Sequence, residues 1–453
     1  MRILLPEKVR TIINRLQDEG YEAYAVGGCI RDSYLGRVPN DWDITTSATP
    51  LQVKSLFRRT VDIGIEHGTV KVMDGNDGFE VTTYRIDGEY EDSRHPKDVT
   101  FTGSLEEDLK RRDFTMNAMA YNDADGLVDL FGGIEDMQRG LVRAVGNPEE
   151  RFAEDALRIL RAMRFSAQLG YEVEANTEQA IRKLASTLSK ISAERIREEF
   201  EKLIMSEHPE KLRELYELGI TRVIFPEWDA MMECEQNTPY HYLNVGEHTI
   251  CGLKKLVDNP GNLTDEEARL VRIAFVLHDV GKPCCKTVDE SGVAHFKKHP
   301  EEGALIAEEI LKRLKYDNAT INEVKNLVRY HDERPVLEKK YVRRLLSKLG
   351  AGRAQMLMEI KWKDLYAHSD YRFDELYHQL VKLEQLIFEI LADKDALSVH
   401  ELALSGKSLI CMGVKPGPSM GRILDELLEA VLDNPTLNTQ EGLTKLLQSK
   451  GVI

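Results

Sequence analysis

Asp41-Trp42-Asp43 opens the run DWDITT, which alternates polar and apolar residues as a half-buried strand does. Strand side chains repeat every two residues, so both carboxylates are expected on one face. Two acids side by side repel unless a cation lies between them. Mg²⁺ suits that place, because it takes one or two carboxylates and fills its remaining positions with water or phosphate oxygens. Two solvated acids on an exposed strand are the plainer reading of an isolated pair. This pair has company. Gly27-Gly28 begins fourteen residues upstream of Asp41, at the end of one expected strand and ahead of a helix, CIRDSYLG. A glycine pair there lets backbone N–H groups approach an anion. Arg31 follows in the first turn and adds a guanidinium fork that fits phosphate. GxxxxGK[ST] is absent, so this is not a Walker loop.

A second constellation lies downstream. His248, His278-Asp279 and Asp364 occur in the order H…HD…D, with His295, His299 and His331 between them. Imidazoles with carboxylates suit a divalent transition metal or Mg²⁺. LHDVGKP follows the apolar run RIAFVL, which places the His-Asp pair at a helix end.

These groups need a frame. The chain has 453 residues, more than one hydrophobic core usually serves, and 42% are apolar, which argues against wholesale disorder. Residues 6–19 read as a helix, with Val9, Ile12, Ile13 and Leu16 at helical spacing. YEAYAVGG, DWDITT, a hairpin turning at Asn76–Gly78 and LVDLFGG (127–133) read as strands, which together suggest a compact α/β head. Beyond residue 150 the pattern is helical almost throughout. Ten of the twelve histidines fall between 208 and 400, which marks a second change of texture near 237.

The formal charge is −16, from 61 Lys plus Arg against 77 Asp plus Glu. Phosphate contacts need Lys and Arg, so an acidic total weighs against nucleic acid only until the charges are placed. Residues 334–363 carry nine Lys or Arg (Arg334, Lys339, Lys340, Arg343, Arg344, Lys348, Arg353, Lys361, Lys363) and two acids, Glu338 and Glu359, a local balance of 9 − 2 = +7. That stripe reads either as an ordinary basic helix face or as a surface that tracks phosphates, extended by Arg195 and Arg197. The six cysteines form no CxxC pair and read as reduced thiols of a cytoplasmic protein. The N-terminus lacks the pattern of a signal peptide, and no run of about 18 apolar residues exists to span a membrane.

GGCIRD followed by DWDITTSATP, then RRDFTMNAMAY (111–121), DLFGGIEDM (129–137), EDALRILRAMRF (154–165) and AERIREE (193–199), resembles the class II tRNA nucleotidyltransferases. These are the CCA-adding enzymes, within the DNA polymerase beta-like nucleotidyltransferases. The likeness covers about the first 230 residues in the family's order; Ile30 and Leu130 depart from its usual valine and proline. It implies an α+β protein, with a mixed-sheet nucleotidyltransferase head at 1–140 and a helical neck and body at 141–236; the change of texture near 237 and the Gly/Pro-rich final segment set off a helical domain at 237–400 and a helical tail at 401–453. It implies that Asp41 and Asp43 are catalytic and hold two Mg²⁺ ions, one activating the RNA 3′-hydroxyl and the other clamping the triphosphate. Gly28, Arg31 and Arg112 would bind the triphosphate, and Glu80 is either a third carboxylate near the metals or a paired strand acid.

Asp155, Arg158, Arg161 and Arg164 recur every three residues on one expected helix. The stripe drifts about 60° per step, so the four cannot all meet one base. They read either as a charged solvent face or, by the resemblance, as the groups that select the nucleotide without a template. Cytosine and adenine present an amino donor beside an unprotonated ring nitrogen. A carboxylate beside a guanidinium would accept both and disfavour uracil and guanine.

The implied function is addition of C, C and A to the 3′ end of tRNA from CTP and ATP, with pyrophosphate released. A-addition alone is an alternative. The segment DGEYEDSRHPKDVTF (87–101) reads as a surface loop, which the resemblance makes an argument against C-only addition. The H…HD…D residues His248, His278, Asp279 and Asp364 resemble the HD phosphohydrolase superfamily. That likeness implies a helical domain with a divalent metal of unspecified identity. A metal-dependent phosphohydrolase that uses its head to bind RNA is a further alternative.

Overall fold

Ala23–Val26 (β1) is buried along its whole length, as a strand must be when it is paired on both sides and covered on both faces. In the computed structural model, which describes residues 2–87 and 99–453, β1 lies in a seven-stranded mixed sheet. The other members are Asp43–Thr46 (β2), Thr60–Gly64 (β3), Thr69–Asp74 (β4), Asp77–Thr83 (β5), Met119–Asn122 and Gly126–Asp129. Counting the short strands Arg85–Asp87 (β6) and Val99–Phe101 (β7), the last two are β8 and β9, and the sheet order is β3-β4-β5-β2-β1-β8-β9. β2 and β5 run parallel and the other neighbours are antiparallel.

The helix expected at 6–19 spans Glu7–Asp18 and buries Val9, Ile12, Ile13 and Leu16 on one face. The hairpin turn falls at Gly75-Asn76 rather than at 76–78, since Asp74 pairs with Asp77 and Gly75 takes a left-handed φ of 65°. The segment 87–101 is not wholly a loop. Its ends pair as β6 and β7, with Arg85 opposite Phe101, and the stretch 88–98 lies outside the described residues.

The described chain gathers into two units, Met1–Pro226 and Glu227–Ile453. In the first, the sheet is followed by helices, among them Pro148–Glu154, Leu157–Leu169 and Ala193–Ile204. In the second, helices carry the structure, with one small ladder joining Thr287–Val288 to Ala294–His295. The α+β class and the change to helices after the head are as the sequence led one to expect.

The basic stripe at 334–363 is largely engaged within its own unit. Arg343, 8% exposed at its side chain, lies 2.6 Å from Asp395 and also donates to the Leu432 carbonyl. Arg344 pairs with Glu429 and Asp433, Lys339 with Glu389 and Asp393, and Arg353 with Glu323. Lys361 is buried and donates to the carbonyls of His331 and Glu333, while Lys363 is buried against Glu359. These pairs fasten the helix Lys339–Leu349 to Phe373–Ala392 and Pro418–Asp433. Of the two readings of the stripe, these contacts support the ordinary helix face, whose cations hold neighbouring helices together. Apart from Glu359, the acids in these pairs come from 30 or more residues away, beyond the reach of a local charge count. Among the described residues no helix is long and apolar enough to cross a membrane, and all six cysteines are free thiols.

Candidate functional site

The turn from β1 into the helix Gly28–Tyr34 needs its glycines for a visible reason. Gly27 has φ +84°, and a Cβ there would stand 3.2 Å from Arg112 Nη1. A side chain would be strained by the backbone and would press on the guanidinium. Arg112 is held from behind by Asp108, itself fully buried, at 3.2 Å, and its buried Nε has no protein partner. Arg31 pairs with its neighbour Asp32 and donates through Nη1 to Asn117 Oδ1 at 2.7 Å.

Opposite these guanidinia stand the carboxylates. The strand begins at Asp43, so Asp41 precedes it and the shared-face argument does not apply to it. Another route brings the acids together. Ile44 pairs with Val81 across the parallel β2/β5 ladder, which sets Glu80 beside Asp43 in register. The Asp43 carboxyl is raised above its ordinary pKa, first by burial and then by the charges of Glu80 and Asp41, while Arg112 pulls the other way. A buried carboxylate with two more acids beside it fits a divalent cation, which would offset the charge that burial and its neighbours disfavour at Asp43.

The arginine series differs most from its sequence reading. Asp155 is not on the helix with the arginines. One helix ends at Glu154 and the next begins at Leu157, and Asp155 Oδ1 accepts the Leu157 N–H across the break. Its other oxygen accepts Arg195 Nη2 at 2.8 Å, so Arg195 belongs here and not to an RNA-facing stripe. Arg158 is buried, paired with Glu154 at 2.7 Å and donating to the carbonyls of Arg151 and Arg111. Arg161 grips Asp113 Oδ2 through Nε and Nη2, at 2.8 and 2.6 Å. Arg164 is buried against Glu199 and Gln168. A charged solvent face is ruled out by these contacts.

Sequence reasoning passed over the residues that join the parts. Asn117 donates to Asp113 Oδ1 at 3.1 Å while accepting from Arg31, so Arg31, Asn117, Asp113 and Arg161 form one chain of hydrogen bonds. Phe165 anchors the same chain, with the guanidinium carbons of Arg31, Arg161 and Arg164 at 4.9, 5.5 and 3.9 Å from its ring centre. Such stacking is worth about 0.5–1 kcal/mol where partly exposed and more where desolvated. RRDFTMN carries Asp113 and Asn117 four residues apart, but an extended Phe114 separates Asp113 from the short turn Thr115–Asn117, so no local periodicity marked the two as partners.

In the second unit the structure brings His248, His278, Asp279 and Asp364 together. His248 Nε2 lies 2.8 Å from Asp364 Oδ1 and 4.0 Å from Asp279 Oδ2; His278 Nε2 lies 3.2 Å from Asp279 and 3.8 Å from Asp364. His278 and Asp279 follow directly on the buried helix Asp265–Leu277, as RIAFVL implied. His241 and His368 crowd the same side, and His299 and His331 close the other. His295 does not join; it pairs with Asp289 on the surface. Lys282 Nζ stands 2.6 Å from Asp279 as an ion pair, yet neither Asp279 oxygen accepts a well-aligned hydrogen bond.

Comparison with known proteins agrees with the head and extends past it. Residues 23–143 match the family described as the poly A polymerase head domain, 170–232 the RNA and SrmB-binding site of polymerase A, and 301–447 the tRNA nucleotidyltransferase domain 2. A CCA-adding enzyme of Lactiplantibacillus plantarum is 36% identical over 444 residues, 96% of this chain and 94% of that protein. One from Leuconostoc mesenteroides is 54% identical over 204 residues, 45% of this chain and 51% of that protein. The crystal structure of the Bacillus stearothermophilus CCA-adding enzyme in complex with CTP is similar at a TM-score of 0.71 and 30% identity, over 99% of both chains. The Thermotoga maritima CCA-adding enzyme complexed with tRNA shares the fold at a TM-score of 0.60 and 22% identity, over 99% of this chain and all of that one.

Proposed function

This chain belongs to the CCA-adding enzymes, and on that premise we propose that its first unit adds C, C and A to the 3′ end of tRNA, with the chemistry at the open end of β2. The substrates are CTP, ATP and tRNA, and pyrophosphate leaves. The observation that carries the assignment of residues is the meeting of Asp41, Asp43 and Glu80 with Arg112 beside the Gly27-Gly28 turn. Asp41 and Asp43 would hold Mg²⁺, with Glu80 nearby. The ion supplies charge neutralisation at the triphosphate and lowers the pKa of the attacking hydroxyl. The protein's own part is placement. Gly28, Arg31 and Arg112 receive the triphosphate, and the Asp113 network fixes where Arg31 points. The nucleophile is the RNA's hydroxyl, so no covalent enzyme intermediate is required.

Asp155 and Arg158 select the base, with Arg195 as a third member. Asp155 uses one oxygen to accept from Arg195 and the other to accept from the Leu157 N–H, and each carboxylate oxygen has a second lone pair to offer an incoming amino group. Arg161 and Arg164 work through the network behind them. Asp155→Asn exchanges part of the acceptor for a donor. Its expected effect is a loss of about tenfold in the preference for CTP and ATP over UTP and GTP, read with each labelled triphosphate in turn; about 1.4 kcal/mol accounts for it. Unchanged selectivity would remove Asp155 from the reading.

A second reading concerns the other unit. We propose that His248, His278, Asp279 and Asp364 hold a divalent metal in an HD-type centre, supported by the convergence of their ligand atoms. His278→Ala with Asp279→Ala is expected to leave nucleotide addition within about twofold while abolishing any hydrolysis of phosphomonoesters or cyclic phosphates. A fall in addition that parallels the loss of hydrolysis would contradict separate centres.

A further inference from the structure

Asp108, on the helix Leu105–Lys110, is fully buried and lies just ahead of RRDFTMNAMAY. A buried carboxylate is tolerated only where donors and cations satisfy it. Oδ1 accepts from Arg111 Nε at 3.0 Å and Nη2 at 2.8 Å. Oδ2 accepts from Arg112 Nη2 at 3.2 Å and from Thr45 Oγ1 at 3.0 Å. Burial alone would raise this carboxyl, but the guanidinia of Arg112 and Arg111 outweigh it and hold the group below its ordinary pKa. It is therefore charged at neutral pH.

Thr45 ties the carboxylate to the metal-type acids. It stands two residues beyond Asp43 on β2, so the two side chains share one face of the sheet. Thr45 is itself fully buried, with the Thr82 carbonyl on β5 at 3.3 Å as its other neighbour. Asp108 Oδ2 is thus shared between the strand that carries Asp43 and the guanidinium of Arg112. Arg112 sets Nη1 against the Gly27 turn, and its charge acts on Asp43. Among the described residues its buried Nε has no protein partner. One donor is tied back to Asp108 and others face forward, free for an anion. An untied arginine samples many rotamers, which binding must then freeze.

We propose that Thr45 and Asp108 are positioning residues for nucleotide addition, a relay that locks the Arg112 guanidinium to the strand carrying Asp43 before the triphosphate arrives. The inference rests on the reading that Arg112 receives the triphosphate. CTP and ATP have that group in common, so both depend on the relay equally.

The test is steady-state addition by the full chain on tRNA transcripts, with inhibition by inorganic pyrophosphate as a probe of the phosphate-binding groups alone. Asp108→Asn is expected to raise the KM for CTP, the KM for ATP and the pyrophosphate inhibition constant by the same factor of about tenfold, with kcat within about threefold of the parent. Thr45→Val removes the hydroxyl and should raise all three by about threefold, and Thr45→Ser should restore them. In an Arg112→Ala background Asp108→Asn should add less than about twofold, because the relay acts through that guanidinium. A merely structural carboxylate would lower the midpoint of thermal unfolding and leave KM and pyrophosphate inhibition unchanged, which would overturn the inference. An undiminished effect in the Arg112→Ala background would also overturn it, since Asp108 would then act by another route. If Asp108→Asn does not fold, Thr45→Val decides, and unchanged pyrophosphate inhibition there would overturn the relay. Arg112→Ala separates the two levels: pyrophosphate inhibition unaltered by it would overturn the reading of Arg112 and the relay with it, whereas weakened inhibition beside silent Asp108 and Thr45 variants would overturn the relay alone.

Discussion

Asp41→Asn and Asp43→Asn together are expected to lower nucleotide addition by at least about a thousandfold, the loss of roughly 4 kcal/mol of transition-state stabilisation. Asparagine keeps the shape and removes the charge, so CTP binding measured without turnover should weaken far less than the rate. Stability gives the second half of the expectation. The Asp43 carboxyl is raised by burial and by Glu80 and Asp41, so its ionised form at neutral pH opposes folding. Amide replacement relieves that opposition, and the midpoint of thermal unfolding should hold or rise. A variant that loses both rate and stability would mean that the two acids serve the fold. Glu80→Gln alone separates the remaining possibilities for that residue. A rate loss with unchanged stability places it with the metals, and no rate loss makes it a paired strand acid.

Arg161→Ala is expected to destabilise the first unit by about 2–3 kcal/mol. Removing one partner leaves the other charge buried, which costs about 3–5 kcal/mol in a closed site. Arg161 is 34% exposed at its side chain, so water screens part of the pair and the lower figure applies. For a unit of this size the unfolding midpoint should fall by roughly 5–10 °C. Asp113 makes the pH dependence specific. Burial alone would raise its carboxyl, but the Arg161 guanidinium and Asn117 outweigh burial and hold it at about 2, against an ordinary 3.8. The folded pKa lies below the unfolded one. The stabilisation is therefore complete above about pH 4 and is lost as the pH falls toward 2, a contribution of about 2 kcal/mol. In Arg161→Ala this acid-side slope should shrink, and Arg161→Lys should restore part of it. An acid limb identical to that of the parent chain would show that Asp113 is not held by Arg161. Arg31 reaches the same network through Asn117, so Arg161→Ala should also raise the KM for both CTP and ATP more than it lowers kcat.

What the sequence allowed and what it withheld follow from the range of the signals. The helix at 7–18 and the strand carrying Asp43 were readable because their patterns are local and periodic. The start of β2 was not, since Asp41 continues the alternation without joining the ladder. The break at Asp155 escaped because the three-residue repeat of Arg158, Arg161 and Arg164 extends back onto Asp155. An acid two residues ahead of Leu157 was a capping signal, and it was outweighed by the three-residue repeat. The 334–363 stripe misled for the opposite reason: its charges are local and their partners are not. His299 and His331 stood in the sequence as two histidines among ten, and only the fold sets them against one oxygen of Asp279.

The overall charge of −16 sits easily with an RNA substrate, because the guanidinia of the site are few and held in place. Arg31, Arg112, Arg158, Arg161 and Arg164 each have a fixed partner or a packed ring.

The most direct measurement uses three tRNA transcripts, ending before CCA, after the first C and after CC, each incubated with labelled CTP and ATP singly and together. The expected result is two cytidines and then one adenosine on the shortest transcript, one cytidine and one adenosine on the next, a single adenosine on the longest, and then arrest. Extension of the CC-ending transcript alone would contradict CCA addition and make A-addition the activity.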